Sequence, residues 1–378
     1  YVTLTPELPW QNIRLIWKVG ALSNRYGGAG RYDAGEYDTY AFGRTHVLGE
    51  TLRGEVDIGQ TTLAVEHGIG SKRPDPSIFN DARFTLLHHA HVFASWKKTI
   101  IGGLHYLTAW TQEEDRDGSL LVNPPDGRLT TIGPEIRLNG GMFGELYLAY
   151  SQIRAHNAVT VSAAYEVLHA GGGGDFSNGV THNYLEVPVL GADDTSGGNG
   201  RVDSIVGQYE FSLGRSLAKI NDPESDFWGE GRDAVIKLYG MINMVKSDDQ
   251  DADGIRKLKY GVDLMGSLFP VFGVGLRYDR VQPNNEVPEQ SFGVISPRLI
   301  FRTRWVTREE ITIQYTRYMY NERECDPANP LLCVQPATGP VLPDGFGATT
   351  GNQDANMRGA PLAPPDKDAF KIQATFWW

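Results

Sequence analysis

Apolar and polar side chains alternate with a period of two along most of this chain. In "FGVGLRYDR", Phe272, Val274, Leu276 and Tyr278 fall on one side, and Arg277 and Asp279 on the other. That period belongs to a β-strand, whose successive side chains point to opposite faces. The same reading aligns Ile13, Leu15, Trp17, Val19 and Ala21, then Leu52, Gly54, Val56 and Ile58 opposite Arg53, Glu55 and Asp57. Leu63 and Val65 follow, then Phe84, Leu86, Ala90, Val92, Ala94 and Trp96, then Ile100, Leu104, Tyr106 and Trp110. Ile132, Ile136 and Leu138 share a face, as do Val159, Val161, Ala163, Tyr165 and Val167. Later runs are Ile205, Tyr209, Phe211 and Leu213; Ile236, Leu238, Ile242 and Met244; Leu258, Tyr260, Val262, Leu264 and Leu268; and Ile311, Ile313 and Tyr315. The closing "AFKIQATFWW" sets Phe370, Ile372, Ala374, Phe376 and Trp378 against Lys371, Gln373 and Thr375. Counted this way, about fifteen segments read as strands.

The connections between them alternate in length. Short ones fall at 58–61, 96–99, 139–142, 268–271 and 305–310, and long polar ones at 24–42, 73–83, 113–127, 247–254, 283–290 and 322–366. Short turns on one rim and long loops on the other are the arrangement of a transmembrane β-barrel. Both chain ends then lie on the short-turn side, so the strand number is even. The segment 175–190, "DFSNGVTHNYLEVPVL", supplies the missing strand despite Pro188. The expectation is one domain over residues 1–378, all-β, with about sixteen antiparallel strands, fourteen or eighteen being the adjacent even numbers. Only the connection 217–231 breaks the sorting of loops.

In water these apolar faces would need a second layer to cover them, and no convincing amphipathic helix is predicted to supply it. A closed cylinder in lipid solves the problem: hydrocarbon covers the outside, the inside can be wet, and no sheet edge is left. Aromatic residues near strand ends, Trp17, Trp96, Trp110, Tyr165, Tyr278, Trp305 and Tyr315, suit the two membrane interfaces. With its final "FKIQATFWW" and unequal loops, the chain resembles a Gram-negative outer-membrane β-barrel protein of porin-like type, with no subfamily matched. The resemblance implies short periplasmic turns, long extracellular loops, outer-membrane lipid as the surrounding partner, and a terminal strand that signals insertion. That signal usually ends in Phe, where this chain has Trp378.

Composition narrows the picture. The 44 glycines and 17 tyrosines suit twisted strands and interfacial rings better than long helices. No run approaches the ~18 apolar residues of a spanning helix. A net charge of −11 argues against nucleic acid as a partner. Tyr1 opens with no leader pattern, so the expectation is either no export or a leader already removed. Cys325 and Cys333, in "ECDPANPLLC", read as a loop disulfide, with two unrelated thiols as the alternative.

The polar faces carry the candidate chemistry. Basic residues gather late, at Lys237, Lys257, Lys259, Arg277, Arg298, Arg302 and Arg304. Acidic ones gather earlier, at Glu55, Asp57, Glu66, Glu135, Glu145, Glu166 and Glu210. In a closed barrel these become pore-lining walls of opposite sign, whose transverse field orients hydrated solutes. The alternatives are plain solvation or ion pairs that plug the pore. In "LHHAH", His89 and His91 share a face, and a three-residue turn would set His105 across from His91, a candidate zinc or copper site. Asp249, Asp251 and Asp253 before Gly254 have the spacing of the first ligands of a calcium loop, but Tyr260 stands where the closing Glu belongs. Tyr26, Tyr32, Tyr37 and Tyr40 in the first long loop could stack on sugars or hold that loop together, and "GGGG" at 171–174 reads as a flexible turn. No hydrolase or metalloprotease motif is present, so an enzyme is not expected. The expected function is a channel for diffusion of small hydrophilic solutes through a charged lumen. The alternative is a structural barrel with an occluded lumen that anchors a larger cell-envelope assembly, and a homo-oligomer fits either.

Overall fold

The computed structural model describes residues 1–25, 44–72, 85–111, 128–156, 200–221, 233–247, 254, 256–269, 271–282, 291–303, 308–320 and 367–377. These residues form β1 (Val2–Leu4), β2 (Ile13–Arg25), β3 (Arg44–Ile58), β4 (Thr61–Lys72), β5 (Thr85–Trp96), β6 (Ile100–Thr111), β7 (Arg128–Asn139) and β8 (Glu145–His156). Then come β9 (Gly200–Ser212), a helix α1 (Leu213–Asn221), β10 (Asp233–Ser247), β11 (Arg256–Phe269), β12 (Phe272–Gln282), β13 (Phe292–Thr303), β14 (Arg308–Tyr320) and β15 (Lys367–Trp377). The strands hydrogen-bond in chain order in one sheet of fifteen described strands. The fold class read from the alternation, all-β and antiparallel, is the one observed, and this up-and-down order is what a barrel wall requires. The strands expected at 159–167 and 175–190 lie outside the described residues, as do Glu166, Arg304, Asp249, Asp251, Asp253, both cysteines and the loop tyrosines.

Chain contacts divide the molecule into two compact units. The first comprises Tyr1–Arg137, Leu148–Val206 and Ile242–Arg256. Within it the registers align apolar positions across strands: Ile13 faces Val56, Val56 faces Leu63, Leu63 faces Ala94, and Ala94 faces Gly102. The second unit comprises Leu138–Tyr147, Gly207–Met241 and Lys257–Trp378. There Val274 faces Leu299, Leu299 faces Ile313, and Ile313 faces Ile372.

Each unit is inverted relative to a water-soluble protein. The apolar face is bare: Val65 is 55% exposed and Ile372 64%. The polar face is buried: Arg277 is 2% exposed, Asp279 1% and His105 1%. Leu87 and Leu107 share the buried polar-face positions of β5 and β6, so that face is not uniformly hydrophilic.

Two tight turns hold the registers. Gly59, between β3 and β4, has φ of 59°, the left-handed region that glycine enters without cost. Lys97 and Lys98, between β5 and β6, hold φ of 51° and 56°, and the Lys97 amide donates to the Gln60 carbonyl at 2.8 Å.

The helix α1 is a correction to the sequence reading, which extended the alternation of β9 through Leu213 and predicted no amphipathic helix. Ser212 ends the strand. Its hydroxyl oxygen accepts the Arg215 amide at 3.0 Å, while the Asp233 carboxylate accepts the Gly214 amide at 2.6 Å and the Ser212 hydroxyl at 2.8 Å. This is an N-cap reinforced by an acid at the positive end of the helix. The Ser216 hydroxyl lies 2.6 Å from the Met142 carbonyl and 2.7 Å from the Ser212 carbonyl, tying α1 to the short 3-10 turn Gly141–Phe143 between β7 and β8. The first residues of the connection 217–231 thus belong to α1, which runs to Asn221. The second correction is β1, too short for its period to register. Replacing Ser212 with Ala should lower unfolding stability by about 1–2 kcal/mol through the lost cap. Denaturant unfolding followed by circular dichroism measures this, and an unchanged midpoint would show that the cap carries no stability.

Candidate functional site

In the second unit the buried polar face centres on Asp279. The Arg277 guanidinium grips it bidentately, Nε to Oδ2 at 2.6 Å and Nη2 to Oδ1 at 2.8 Å. The Tyr239 hydroxyl donates to Oδ1 at 2.6 Å, and the Lys259 ammonium stands 3.9 Å from the same oxygen. The guanidinium also lies 5.2 Å from the centre of the Tyr239 ring, within cation–π range. One strand over, Arg298 reaches Asp263 at 2.6 Å. Nearer the short-turn end, Arg302 bonds Glu310 at 2.9 Å and the Ser267 hydroxyl at 3.0 Å. Lys237 pairs with Glu210 at 3.0 Å.

The first unit has its own polar row, built on histidines. Nε2 of His89 lies 3.2 Å from Glu66, and Nε2 of His91 lies 2.7 Å from Glu135. His91 and His105 face each other in register across β5 and β6, as the turn length predicted. His105 turns elsewhere, its Nε2 3.3 Å from the Ser151 hydroxyl. Glu55 binds Arg14 at 2.9 Å and also pairs with Arg53, and Arg14 reaches Asp57 at 3.4 Å. The neighbouring His88 falls on the apolar face, where its Nε2 meets Nε2 of His67 at 2.8 Å.

Glycine makes these long reaches feasible. A Cβ on Gly275 of β12 would stand 2.5 Å from Nε of Arg298, which crosses that strand from β13 to reach Asp263 on β11. A Cβ on Gly261 of β11 would collide with the Tyr239 hydroxyl on its way from β10 to Asp279 on β12. A Cβ on Gly103 of β6 would come within 2.9 Å of His91 and 3.2 Å of Glu135, which bond across it from β5 to β7. The His89 ring similarly occupies the space over Gly68. The Arg298, Tyr239 and His91 bonds thus each span three strands, and the middle strand contributes an absent side chain.

Of the residues singled out in the sequence, Lys237, Lys259, Arg277, Arg298 and Arg302, and Glu55, Asp57, Glu66, Glu135, Glu145 and Glu210, all lie on the polar face. Lys257 falls on the same face of β11, its side chain outside the described residues. The residues read as a basic wall and an acidic wall take counter-charges within their own unit of the sheet. Each described early acid in these pairs has a local Arg, Lys or His, and each late base a local carboxylate. The counter-charges Arg14, Arg53, Asp263, Asp279 and Glu310, with Tyr239, were not among the sequence candidates. A signal existed for Asp279, two residues from Arg277 on one face, but not for the cross-strand partners. For the metal expectation, no group of three or more His, Cys, Asp or Glu side chains is placed to hold an ion among the described residues.

Removing one partner of a buried pair strands the other. Arg277→Ala should therefore cost about 3–5 kcal/mol, whereas Arg14→Ala, at a pair whose arginine is 53% exposed, should cost about 0–1 kcal/mol. Equilibrium unfolding of the two variants measures both, and equal losses would refute the burial of the Asp279 cluster.

No family model and no curated protein sequence matches the chain. Among solved structures, the chain is similar to a crystal structure of a Pseudomonas aeruginosa FadL homologue, at 12% identity and a TM-score of 0.28, covering 96% of this chain and 85% of that one.

Proposed function

We propose that this chain is a bacterial outer-membrane β-barrel that passes small hydrophilic solutes through a narrow, charge-paired interior. The observation that carries this is the inversion of the sheet: a face of Val, Leu and Ile left bare, and a face of Arg, Asp, His and Glu buried and paired. Bared apolar strands paired in chain order suit lipid, where backbone groups have to be satisfied by neighbouring strands. The dimensions agree. On the apolar face, Trp96 ends β5 opposite Ile100, and Trp110 ends the same face of β6 opposite Leu86. Those two levels are ten residues apart, about 33 Å along a strand and about 25 Å vertically at a barrel strand's usual tilt, which is the height of an outer-membrane apolar band. The two indoles then sit at the two interfaces.

The paired charges favour a constricted path over a wide aqueous pore. Side chains lining open water would be wet, whereas Arg277, Asp279 and Lys259 are almost fully buried. The same burial favours the second reading, an occluded barrel that serves as an anchor in an envelope assembly. Single-channel recording in planar bilayers separates the two. The channel reading predicts small, discrete steps that enlarge in the paired variant Arg298→Ala/Asp263→Ala, which empties part of the cross-strand network without stranding a charge. Folded protein that passes no current in either form would leave the anchor reading.

A further inference from the structure

The helix α1 adds an apolar surface that the strands do not account for. It leaves β9 at Leu213, in phase with Ile205, Tyr209 and Phe211 on the apolar face of that strand. Leu213 and Leu217 are one helical turn apart and so lie on one side of α1. They are 47% and 53% exposed. Beside them, on the 3-10 turn that Ser216 bonds, Met142 and Phe143 are 40% and 68% exposed. The Tyr209 hydroxyl donates to the Phe143 carbonyl at 2.7 Å. That bond ties the turn to the apolar face of β9. The patch is therefore continuous with the face proposed above to contact lipid.

Charge points to the same occupant. The helix sequence "LGRSLAKIN" itself contains no acid, its N-terminus being bonded by Asp233, and Arg215 falls on the helix side opposite Leu213 and Leu217. A short helix with an apolar stripe, a cationic back and an aromatic neighbour is the composition of an interfacial helix. Its stripe enters the acyl boundary while Arg215 meets phosphates. A soluble protein partner would be offered the same leucines, but the continuity with the strand face would then have no purpose.

We infer that α1, with the 3-10 turn Gly141–Phe143, lies in the headgroup layer of the periplasmic leaflet as an interfacial anchor for anionic phospholipid. The inference rests on the membrane reading of the sheet. It is tested in the full chain, in vesicles of phosphatidylethanolamine and phosphatidylglycerol. A nitroxide is attached to p-acetylphenylalanine in place of Leu217, Phe143, Arg215 or Leu276, one position at a time. Power saturation with oxygen and with a water-soluble nickel chelate then gives the depth of each label. Leu276, on the apolar face of β12, is the control for the membrane reading and should report hydrocarbon. The inference predicts headgroup depth at positions 217 and 143, and a more aqueous label at 215. Labels at 217 and 143 as accessible to nickel as that at 215, with 276 still in hydrocarbon, would overturn the anchor alone. An aqueous label at 276 would overturn the membrane reading and the anchor with it.

Discussion

Side chains such as Val65, Leu104 and Ile372 are stable on the bare face of a sheet only when the medium beside them is not water. Each exposed aliphatic group of that size forgoes about 1.5–3 kcal/mol of burial in an aqueous setting. Here they recur on strand after strand in both units. The backbone offers no alternative use for that face, because its amides and carbonyls are engaged by neighbouring strands in chain order. Hydrocarbon is the solvent that accommodates both facts. The proposals for the polar face follow from that assignment.

Turning the apolar groups outward forces the charged groups inward, and burial makes an unpaired charge expensive. The chain answers with pairing at short range. Asp279 collects a guanidinium, a phenol and an ammonium, and His91 and His89 each take a glutamate. The reach across three strands, over Gly275, Gly261 and Gly103, has a further consequence. A slip of one residue would bring a side chain into the path of Arg298, Tyr239 or His91 and turn the apolar face inward. Polar bonds of this kind fix strand register where hydrophobic contact with fluid lipid cannot.

Much of the fold was legible because a period of two needs only local sequence. Val274, Leu276 and Tyr278 against Arg277 and Asp279 already define both faces of β12. The turn length between β5 and β6 also placed His91 opposite His105. The charge pairing was less legible, because it depends on registers between strands far apart in sequence. Arg298 and Asp263 are separated by 35 positions, and His91 and Glu135 by 44. Counting signs along the chain therefore does not show which partner each charge takes. Gly261 and Gly275 are silent in sequence for the same reason: a glycine does not say what lies over it. The helix α1 was hidden because Leu213 continues the alternation of β9, and only the Ser212 and Asp233 bonds mark the change.

The central claim is that the apolar face requires a nonpolar surrounding. Sedimentation velocity combined with far-ultraviolet circular dichroism, as surfactant is withdrawn from purified protein, tests it most directly. The account predicts that the β-sheet-rich monomer exists only with bound detergent or lipid, and that it associates and precipitates as the amphiphile is removed. A folded, monodisperse monomer persisting in plain buffer would contradict it.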